Sequence, residues 1–383
     1  MRMDHSWVED ALHTLKEQDL YRTLQPLKQL GAHVTMNDRS YLNFSSNDYL
    51  SLSQDPEMCH ASIEATKRWG TSATASRFLA GSSTIHHALE KEIAAWKEAE
   101  SARIFGSGYL ANLGILSTLA SSDDHLFMDR LCHASLIDGA RLSSAQIHRF
   151  HHNDMNHLET LLQRYTKGKK LIITESVFSM DGDCAPLQEL YALSKKYHSY
   201  LLIDDAHAMG IFGKNGNGLA TGKEHILVVN TFGKALGSYG GAVICSELLS
   251  DLITQRARTL IYTTGLPPSV IETTRQAIKL IQQHTDWGTT LLSKAALFQE
   301  LLYKAHIPLT SRNSHITSLL CESSTRAIHL AQALFNEGIL AFPIRPPTVP
   351  EKQARIRFSC TLGHSQEELQ QTAEKIIYFF QKL

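Results

Sequence analysis

Residues 170–206 read KLIITESVFSMDGDCAPLQELYALSKKYHSYLLIDDA, and this stretch decides the fold class. Two apolar, β-branched runs, KLIITES and SYLLIDDA, flank the helical periodicity of PLQELYALSKKY, so the stretch predicts a strand, a helix and a second strand. The same alternation begins at about residue 84. It is typical of an α/β protein with a mainly parallel sheet flanked by helices.

Other segments extend this alternation on both sides of the central unit. Predicted strands include SARIF, HLFMD and QIHRF before it and ILVVNTFG and GAVICS after it, with helical periodicities such as YLANLGILSTLA between them. A long helical stretch near residues 267–306 precedes ITSLLC, ILAFPI, ARIRFSC and a final helix, which opens with a capping box from Ser365 to Glu368. We therefore predict an N-terminal arm (1–46), a large α/β domain (47–285) and a smaller C-terminal α+β domain (286–383).

The composition argues against several classes of protein. Of 383 residues, 43% are hydrophobic and 20% are charged, which is sufficient for a large folded core. The 37 basic and 38 acidic residues give a net charge of -1, so we expect no general attraction to nucleic acid or to an anionic membrane. The six cysteines are scattered singly, and the sequence has neither a signal peptide nor a membrane-spanning apolar run. We expect a cytoplasmic protein.

A glycine-rich turn, FGSGYLAN (105–112), follows a predicted strand and opens a helix. Its glycines allow backbone N–H groups to approach an anion at the positive end of that helix, so the turn is a candidate phosphate site. It also matches the dinucleotide fingerprint G-x-G-x-x-A, with Asp129 about 20 residues further on. A phosphate site, a nicotinamide-cofactor site and a tight structural turn all remain open on this stretch alone.

Two further strand ends carry polar residues. Asp204 ends the run SYLLIDDA with His207 just beyond it, and Lys234 follows ILVVNTFG in a glycine-rich turn. Taken singly, the aspartate is equally suited to capping a turn, and a lone lysine is most often solvated in a loop. Together with the anion turn, however, they supply what pyridoxal phosphate requires: a phosphate site, an acidic partner for the pyridine nitrogen and a Schiff-base lysine.

The motifs and their order resemble those of the α-oxoamine synthases, a family of fold-type-I pyridoxal-phosphate transferases. The similar segments are, in order, YLNFSSNDYL (41–50), SGYLAN, CHAS, TESVFSMDGDCAPL, DDAHAMGIFG, TFGKALGSYGG, IYTTGLPPS and residues 344–364. They cover nearly the whole chain. The resemblance therefore implies the family's fold, its cofactor and its site residues.

The resemblance implies a role for each candidate site residue. Lys234 would bind the cofactor as a Schiff base and move the Cα proton, Asp204 would pair with the pyridinium nitrogen, and His207 would bind the phenolic oxygen. The remaining implied residues are His133, stacked on the ring; Ser179, beside the phenolic oxygen; Gly108, Tyr109 and Thr231, at the phosphate; Thr263 or Thr264, reaching the phosphate from a partner subunit; Arg357, at the substrate carboxylate; and Asn47 and Arg22, at the substrate. The active site would thus be shared across a homodimer.

The family's shared reaction is the decarboxylative condensation of an amino acid with an acyl thioester. The segments LNFSSNDYL, MDGDCAPL and RPPTVP most resemble the member that joins L-alanine to a pimeloyl thioester, on coenzyme A or a carrier protein, in biotin biosynthesis. Members that use glycine with acetyl-CoA or succinyl-CoA, or serine with a long acyl-CoA, are the alternatives. A nicotinamide-dependent oxidoreductase is a more remote alternative.

Some residues carry other expectations. The segment GTSATASR (70–77) replaces several glycines that the family usually has, and Ser51 replaces the glycine usual after NDYL. Arg355 alternates with Arg357 in a strand-like run, so one of the two is expected to be a solvated strand residue. The remaining expectations concern histidines: His148, His151 and His152 should form a solvated edge rather than a metal site, and His86 and His87 should pack or cap a helix.

Overall fold

The computed structural model describes residues 4–18, 20–28, 31–222, 224–346 and 348–383. Its α-helices are α1 (Ser6–Glu17), α2 (Pro56–Trp69), α3 (Thr84–Trp96), α4 (Gly108–Leu119), α5 (Ala134–Leu142), α6 (Met155–Arg164), α7 (Leu187–Lys196), α8 (Glu247–Arg256), α9 (Arg258–Ile261), α10 (Pro268–Gln283), α11 (Trp287–Lys304), α12 (Ser324–Asn336) and α13 (Gln366–Lys382). Its strands are β1 (His33–Met36), β2 (Arg39–Asn43), β3 (Ser101–Phe105), β4 (His125–Asp129), β5 (Gln146–Phe150), β6 (Lys170–Glu175), β7 (Tyr200–Asp204), β8 (Ile226–Thr231), β9 (Gly241–Cys245), β10 (Ile316–Glu322), β11 (Ile339–Leu340), β12 (Pro343–Ile344) and β13 (Ala354–Ser359).

The main sheet has seven strands in the order β3-β9-β8-β7-β6-β4-β5. The pairs β4–β5, β4–β6, β6–β7 and β7–β8 are parallel, whereas β9 runs antiparallel to both β8 and β3. The predicted mainly parallel sheet is therefore confirmed. Each sequence run that we predicted as one of these strands contains the observed strand. The predicted and observed ends differ by at most two residues.

The apolar runs of the sheet form two layers of core because successive side chains of a strand point to opposite faces. In β7, Leu201 and Ile203 belong to one buried cluster, and Leu202 belongs to the cluster on the other face. In β6, Ile172 likewise faces the first cluster and Ile173 the second. A parallel sheet covered on both faces explains why these runs are almost continuously apolar.

Two small sheets lie outside the main one. Strand β2 pairs with β1 antiparallel and with β11 parallel, so the segment before residue 46 shares a sheet with the C-terminal region. Strand β13 lies between β10 and β12. The run ILAFPI is divided between these two sheets as β11 and β12. The proposed domain boundaries at 46 and 285 stay a prediction.

The final helix forms as its sequence predicts. Ser365 accepts a hydrogen bond from the N–H of Glu368 at 3.1 Å, and the Glu368 carboxylate accepts one from the N–H of Ser365 at 2.7 Å, which completes the capping box. The predicted apolar face of α13 is buried, comprising Leu369, Thr372, Ala373, Ile376 and Phe380. Among the described helices, none is both long enough and apolar enough to cross a bilayer.

The carboxyl ends of the parallel strands meet at one edge of the main sheet, where α/β proteins form their sites. Glu175 and Asp204 are partners in the register of β6 and β7 at this edge. The adjacent strand β8 ends at Thr231, and β3, which is parallel to β8, leads into α4 at Gly108. Four different strand ends therefore contribute to one site.

Candidate active site

The amine of Lys234 lies against an imidazole at the carboxyl edge of the sheet, with its Nζ 2.7 Å from Nε2 of His207. Lys234 follows β8 in a turn that includes Gly237, where φ is +57° and a Cβ would lie 2.6 Å from a backbone nitrogen. Only glycine fits there without strain. Burial lowers the pKa of Lys234 to about 8, although the charges of Asp204 and Glu175 raise it. Burial also lowers the pKa of His207 well below its usual value, so its imidazole is neutral.

Asp204 is the acidic residue that shares the site with Lys234. Asn112 donates from Nδ2 to Asp204 Oδ2 at 2.8 Å, and the N–H of Ala206 donates to Oδ1 at 3.1 Å. The next residue, Asp205, instead forms an ion pair of 2.8 Å with Lys97, and both side chains are fully buried. The structure thus separates two adjacent aspartates, which the sequence places together, into a site residue and a structural one.

The guanidinium of Arg357 reaches the same site from β13. Its Nη2 donates to the amide oxygen of Asn47 and to the hydroxyl of Tyr49, both at 3.1 Å. Its Nε donates to the carbonyl oxygen of Ser179 at 2.6 Å and its Nη1 to the hydroxyl of Ser359 at 2.7 Å. Asn47, Ser179 and Arg357, which the sequence predicts as site residues, therefore lie together.

The expectation that one arginine of the ARIRFS run is solvated is wrong. Arg355 is 1% exposed and forms an ion pair with Asp181 at 2.5 Å. Arg355 and Arg357 point to the same face of β13 because they are two residues apart, and the loop that follows β6 covers that face. Arg355 holds this loop through Asp181, and Arg357 holds it through Ser179.

The glycine-rich turn before α4 packs closely against the end of β8. A Cβ on Gly241 would lie 2.5 Å from the backbone nitrogen of Gly108, and a Cβ on Gly108 would lie 3.3 Å from Cβ of Thr231. The first N–H groups of a helix have no acceptor within it, and they attract an anion. Here Ser107 accepts from the N–H of Leu110, and Gly108, at the start of α4, lies beside Thr231. This arrangement fits a phosphate group.

The remaining predicted site residues, His133, Thr263, Thr264 and Arg22, have different surroundings. His133 is exposed, with its ring 6.3 Å from that of Tyr109 in an edge-on arrangement. The Thr263 methyl group is 4.0 Å from the place where a Cβ of Gly106 would lie, and Thr264 is exposed. Arg22 is exposed before β1 and forms no hydrogen bond or ion pair with another described residue. It is therefore not brought to the site within this chain.

The two departures from the family pattern have clear local geometries. Ser51 adopts a φ of +57°, the left-handed conformation in which glycine is usual, and its hydroxyl accepts from the N–H of Gly363 at 2.9 Å. In the altered segment 70–77, Ser76 forms a β-bridge with Thr264. The segment therefore lies beside the IYTTGLPPS motif. Pro347, in the RPPTVP motif, lies outside the described residues.

Of the three histidines expected to form a solvated edge, His151 is exposed, whereas His148 and His152 are half-buried. His148 stacks on Tyr165, with their ring centres 3.9 Å apart. His152 contacts Asp129 at 3.0 Å and Asp183 at 2.8 Å, and these carboxylates raise its pKa to about 10 despite its partial burial. Within the described residues no cluster suited to a metal ion is found. His86 caps α3 as expected, since its Nδ1 contacts the hydroxyl of its N-cap serine at 2.7 Å.

Three residues that sequence reasoning missed belong to the site. Asn112 is the donor to Asp204, Tyr49 contacts both Arg357 and His207, and Glu175 is buried beside Asp204. Burial and the charge of Asp204 raise the pKa of Glu175 to about 8. All three residues lie within the motifs quoted above. Their place in those motifs was the signal that could have identified them as site residues.

Taken together, these groups fit pyridoxal phosphate. Gly241, Gly108 and Thr231 approach one another closely and form a cradle for the phosphate that a single Cβ would fill. A buried carboxylate and a lysine amine of lowered pKa are the other two groups that the cofactor requires. The fold and the site define a fold-type-I pyridoxal-phosphate transferase.

Comparisons with known proteins agree. Residues 39–376 match the family Aminotransferase class I and II. The 8-amino-7-oxononanoate synthase of Salmonella newport (strain SL254) is 41% identical over 369 residues, which cover 94% of this chain and 95% of the relative. The chain therefore belongs to the aminotransferase class I and II family and, within it, to the family of the 8-amino-7-oxononanoate synthases.

Solved structures show the same relationship. A serine palmitoyltransferase from S. paucimobilis with a bound pyridoxal phosphate–myriocin adduct has a TM-score of 0.92 and 28% identity, covering 100% of this chain and 99% of the other. The 8-amino-7-oxononanoate synthase from Francisella tularensis has a TM-score of 0.77 and 31% identity, covering 89% and 98%. The cofactor is pyridoxal phosphate, and the nicotinamide alternative is excluded.

Proposed function

We propose that the chain condenses L-alanine with a pimeloyl thioester to give 8-amino-7-oxononanoate, carbon dioxide and the free thiol carrier, in biotin biosynthesis. The names of its relatives at about 40% identity support this reaction. The observation that carries the proposal is the placement of Arg357, a carboxylate-binding group, and Lys234, an amine, in one continuous network of hydrogen bonds. An α-amino acid presents a carboxylate and an amino group, and the network offers a partner to each.

Each site residue has a defined task in this reaction. Pyridoxal phosphate, when bound, supplies the electron sink that stabilises negative charge at Cα of the amino acid. Asp204, held by Asn112, would keep the pyridine nitrogen protonated. Lys234 has a pKa of about 8, so a useful fraction is neutral near neutral pH and is able to act as a nucleophile and as a base toward the Cα proton.

Substrate orientation falls to the residues around β13. Arg357 would bind the carboxylate of alanine through its charge and the one N–H of Nη1 that its contacts leave free, with Asn47 beside it. The buried contacts of Arg357 with Ser179 and Ser359 hold the guanidinium plane in place before the substrate arrives. Preorganisation of this kind lowers the entropy cost of aligning the reacting atoms.

The active site is shared across a homodimer in this proposal, with Thr263 and Thr264 completing the partner's phosphate site. Large apolar side chains beside the Ser76–Thr264 bridge support an interface here, because Leu79 is 81% exposed and Tyr262 is 70% exposed. Large exposed apolar groups grouped together mark interaction surfaces. The proposed location is the cytoplasm, where both substrates would be supplied.

Turnover with a panel of substrates tests the proposed reaction. The purified enzyme would be given L-alanine, glycine or L-serine with pimeloyl-CoA and, separately, with a pimeloyl-carrier protein. We expect alanine to have the highest kcat/KM with one of the two thioesters. Faster turnover of glycine or serine would overturn the choice of alanine, and absence of turnover with either pimeloyl thioester would overturn the acyl substrate.

A further inference from the structure

The loop between β6 and α7 closes into a hairpin that lies against the C-terminal part of the chain. The N–H of Phe178 donates to the carbonyl oxygen of Asp183, and the N–H of Gly182 donates to the carbonyl oxygen of Phe178, both at 2.9 Å. These bonds leave residues 179–182 as the tip of the hairpin. A Cβ on Gly182 would lie 2.4 Å from the carbonyl oxygen of Ile316, so the tip is in direct contact with β10.

Each of the four carbonyl oxygens of the tip accepts a hydrogen bond from a side chain of the C-terminal region. A carbonyl oxygen only accepts, so every one of these side chains is the donor. The carbonyl of Ser179 accepts from Nε of Arg357, that of Met180 from the hydroxyl of Ser318, that of Asp181 from the hydroxyl of Thr310 and that of Gly182 from the hydroxyl of Ser314, each at 2.6 Å. The backbone of the tip is therefore fixed relative to the C-terminal region.

Ser318 is placed to act on the same part of the tip as Arg357. The two residues are partners in the antiparallel register of β10 and β13, so their side chains lie side by side on one face. From this face Arg357 holds the carbonyl of Ser179, and Ser318, which is fully buried, holds the next carbonyl, that of Met180. The position of the carbonyl that orients the guanidinium thus depends on the neighbouring bond.

We propose that Ser318 is a positioning residue, which holds the tip where the Ser179 carbonyl orients the guanidinium of Arg357. Without the Ser318 hydroxyl, the contact that remains to the Met180 carbonyl is Nη1 of Arg355 at 3.4 Å. A buried carbonyl oxygen that has lost its donor favours a shift of the backbone toward another partner. Such a shift moves the Ser179 carbonyl and releases Arg357 from its preset orientation. The consequence for alanine binding rests on the proposed function, whereas the anchoring of the tip does not.

The test compares variants of Ser318 in the full chain loaded with pyridoxal phosphate. In Ser318→Ala, the affinity for L-alanine in a spectral titration should fall about threefold to tenfold, the range for one hydrogen bond, with kcat within about twofold of wild type. Ser318→Thr keeps a hydroxyl and Ser318→Val has nearly the same volume without one, so the Thr variant should bind alanine more tightly than the Val variant. The control is Ser143→Ala, which removes a buried hydroxyl that donates to the carbonyl of Ala140 at 2.6 Å and should leave alanine affinity unchanged. Equal affinities of the Thr and Val variants would overturn the proposal.

Hydrogen exchange of the backbone measures the anchoring of the tip without any substrate. The amides of Phe178 and Gly182, which close the hairpin, should exchange faster in Ser318→Ala and in Ser314→Ala than in wild type, and at the wild-type rate in Ser143→Ala. Unchanged exchange in Ser318→Ala would overturn the proposal, and so would faster exchange with unchanged alanine affinity. If the wild-type enzyme failed to bind alanine, the proposed function would be wrong, and the exchange rates would still decide whether Ser318 anchors the tip.

Discussion

Asp204 and Asp205 are neighbours in the chain but are held by different partners: Asp204 by the amide of Asn112, and Asp205 by the ammonium of Lys97. The first pair faces the candidate site, and the second is buried in the protein. The same substitution at the two positions should therefore have different consequences.

We predict that Asp205→Asn destabilises the fold and that Asp204→Asn spares it. Removing one partner of a buried ion pair leaves Lys97 as an uncompensated charge, which typically costs about 3–5 kcal/mol. Asp204→Asn keeps an oxygen that Asn112 is able to contact, but it loses the negative charge required at the pyridine nitrogen. Urea unfolding and kcat, measured on both variants, check this. Equal stability of the two variants would contradict the prediction.

Lys234 should be unusually reactive for a lysine in the cofactor-free chain. Because burial lowers its pKa to about 8, the neutral amine predominates above about pH 8. Competitive labelling with an amine-directed reagent across a pH series, followed by peptide mapping, measures this. The exposed Lys214 is the internal reference. A Lys234 labelling curve that coincides with that of Lys214 would show that the site does not lower its pKa.

The ion pairs of His152 should make the stability of the protein depend on pH. The folded-state pKa of about 10 is above the ordinary value of 6.5, so the contribution is complete below about pH 6.5 and is lost as the pH rises through about 10. His152→Gln should remove about 1.5–3 kcal/mol at pH 6 and much less near pH 10. Chemical denaturation at both pH values checks this, with the exposed His60→Gln as the control. A pH-independent loss would contradict it.

Arg357 and Arg355 form a second matched pair. Arg357→Ala should weaken alanine binding about tenfold to a hundredfold, because a charged contact contributes about 1.5–3 kcal/mol, while the cofactor and its colour are retained. Arg355→Ala should mainly lower stability, since it leaves Asp181 without its partner. Alanine affinity measured by spectral titration, together with unfolding midpoints, separates the two effects. The assignment of the carboxylate site to Arg357 is wrong if alanine affinity is unchanged.

Local pattern predicted the main sheet because each strand and helix is encoded in contiguous apolar periodicity, as in residues 170–206. The positions of Asp204 and Lys234 after two predicted strands also indicated that they lie near each other, because the carboxyl ends of parallel strands meet at a common edge. The contacts of Tyr49 were not predictable in this way, because His207 and Arg357 are 158 and 308 residues away in the chain. The burial of Arg355 and the ion pairs of His152 likewise depend on the loop after β6, which packs against both.

The shared active site predicts that two inactive variants restore each other. Lys234→Ala removes the amine from its own site, whereas the double variant Thr263→Ala and Thr264→Ala removes the hydroxyls proposed to reach the partner's phosphate site. In a hybrid dimer, one site carries both defects and the other carries neither. With free exchange of subunits at equal concentrations, half of the dimers are hybrids, so about one quarter of all sites should be intact. Turnover in the mixture measures this, and exchange is verified with chains carrying different affinity tags. If the subunits exchange and no activity returns, both sets of residues act within one chain and the shared-site proposal is wrong.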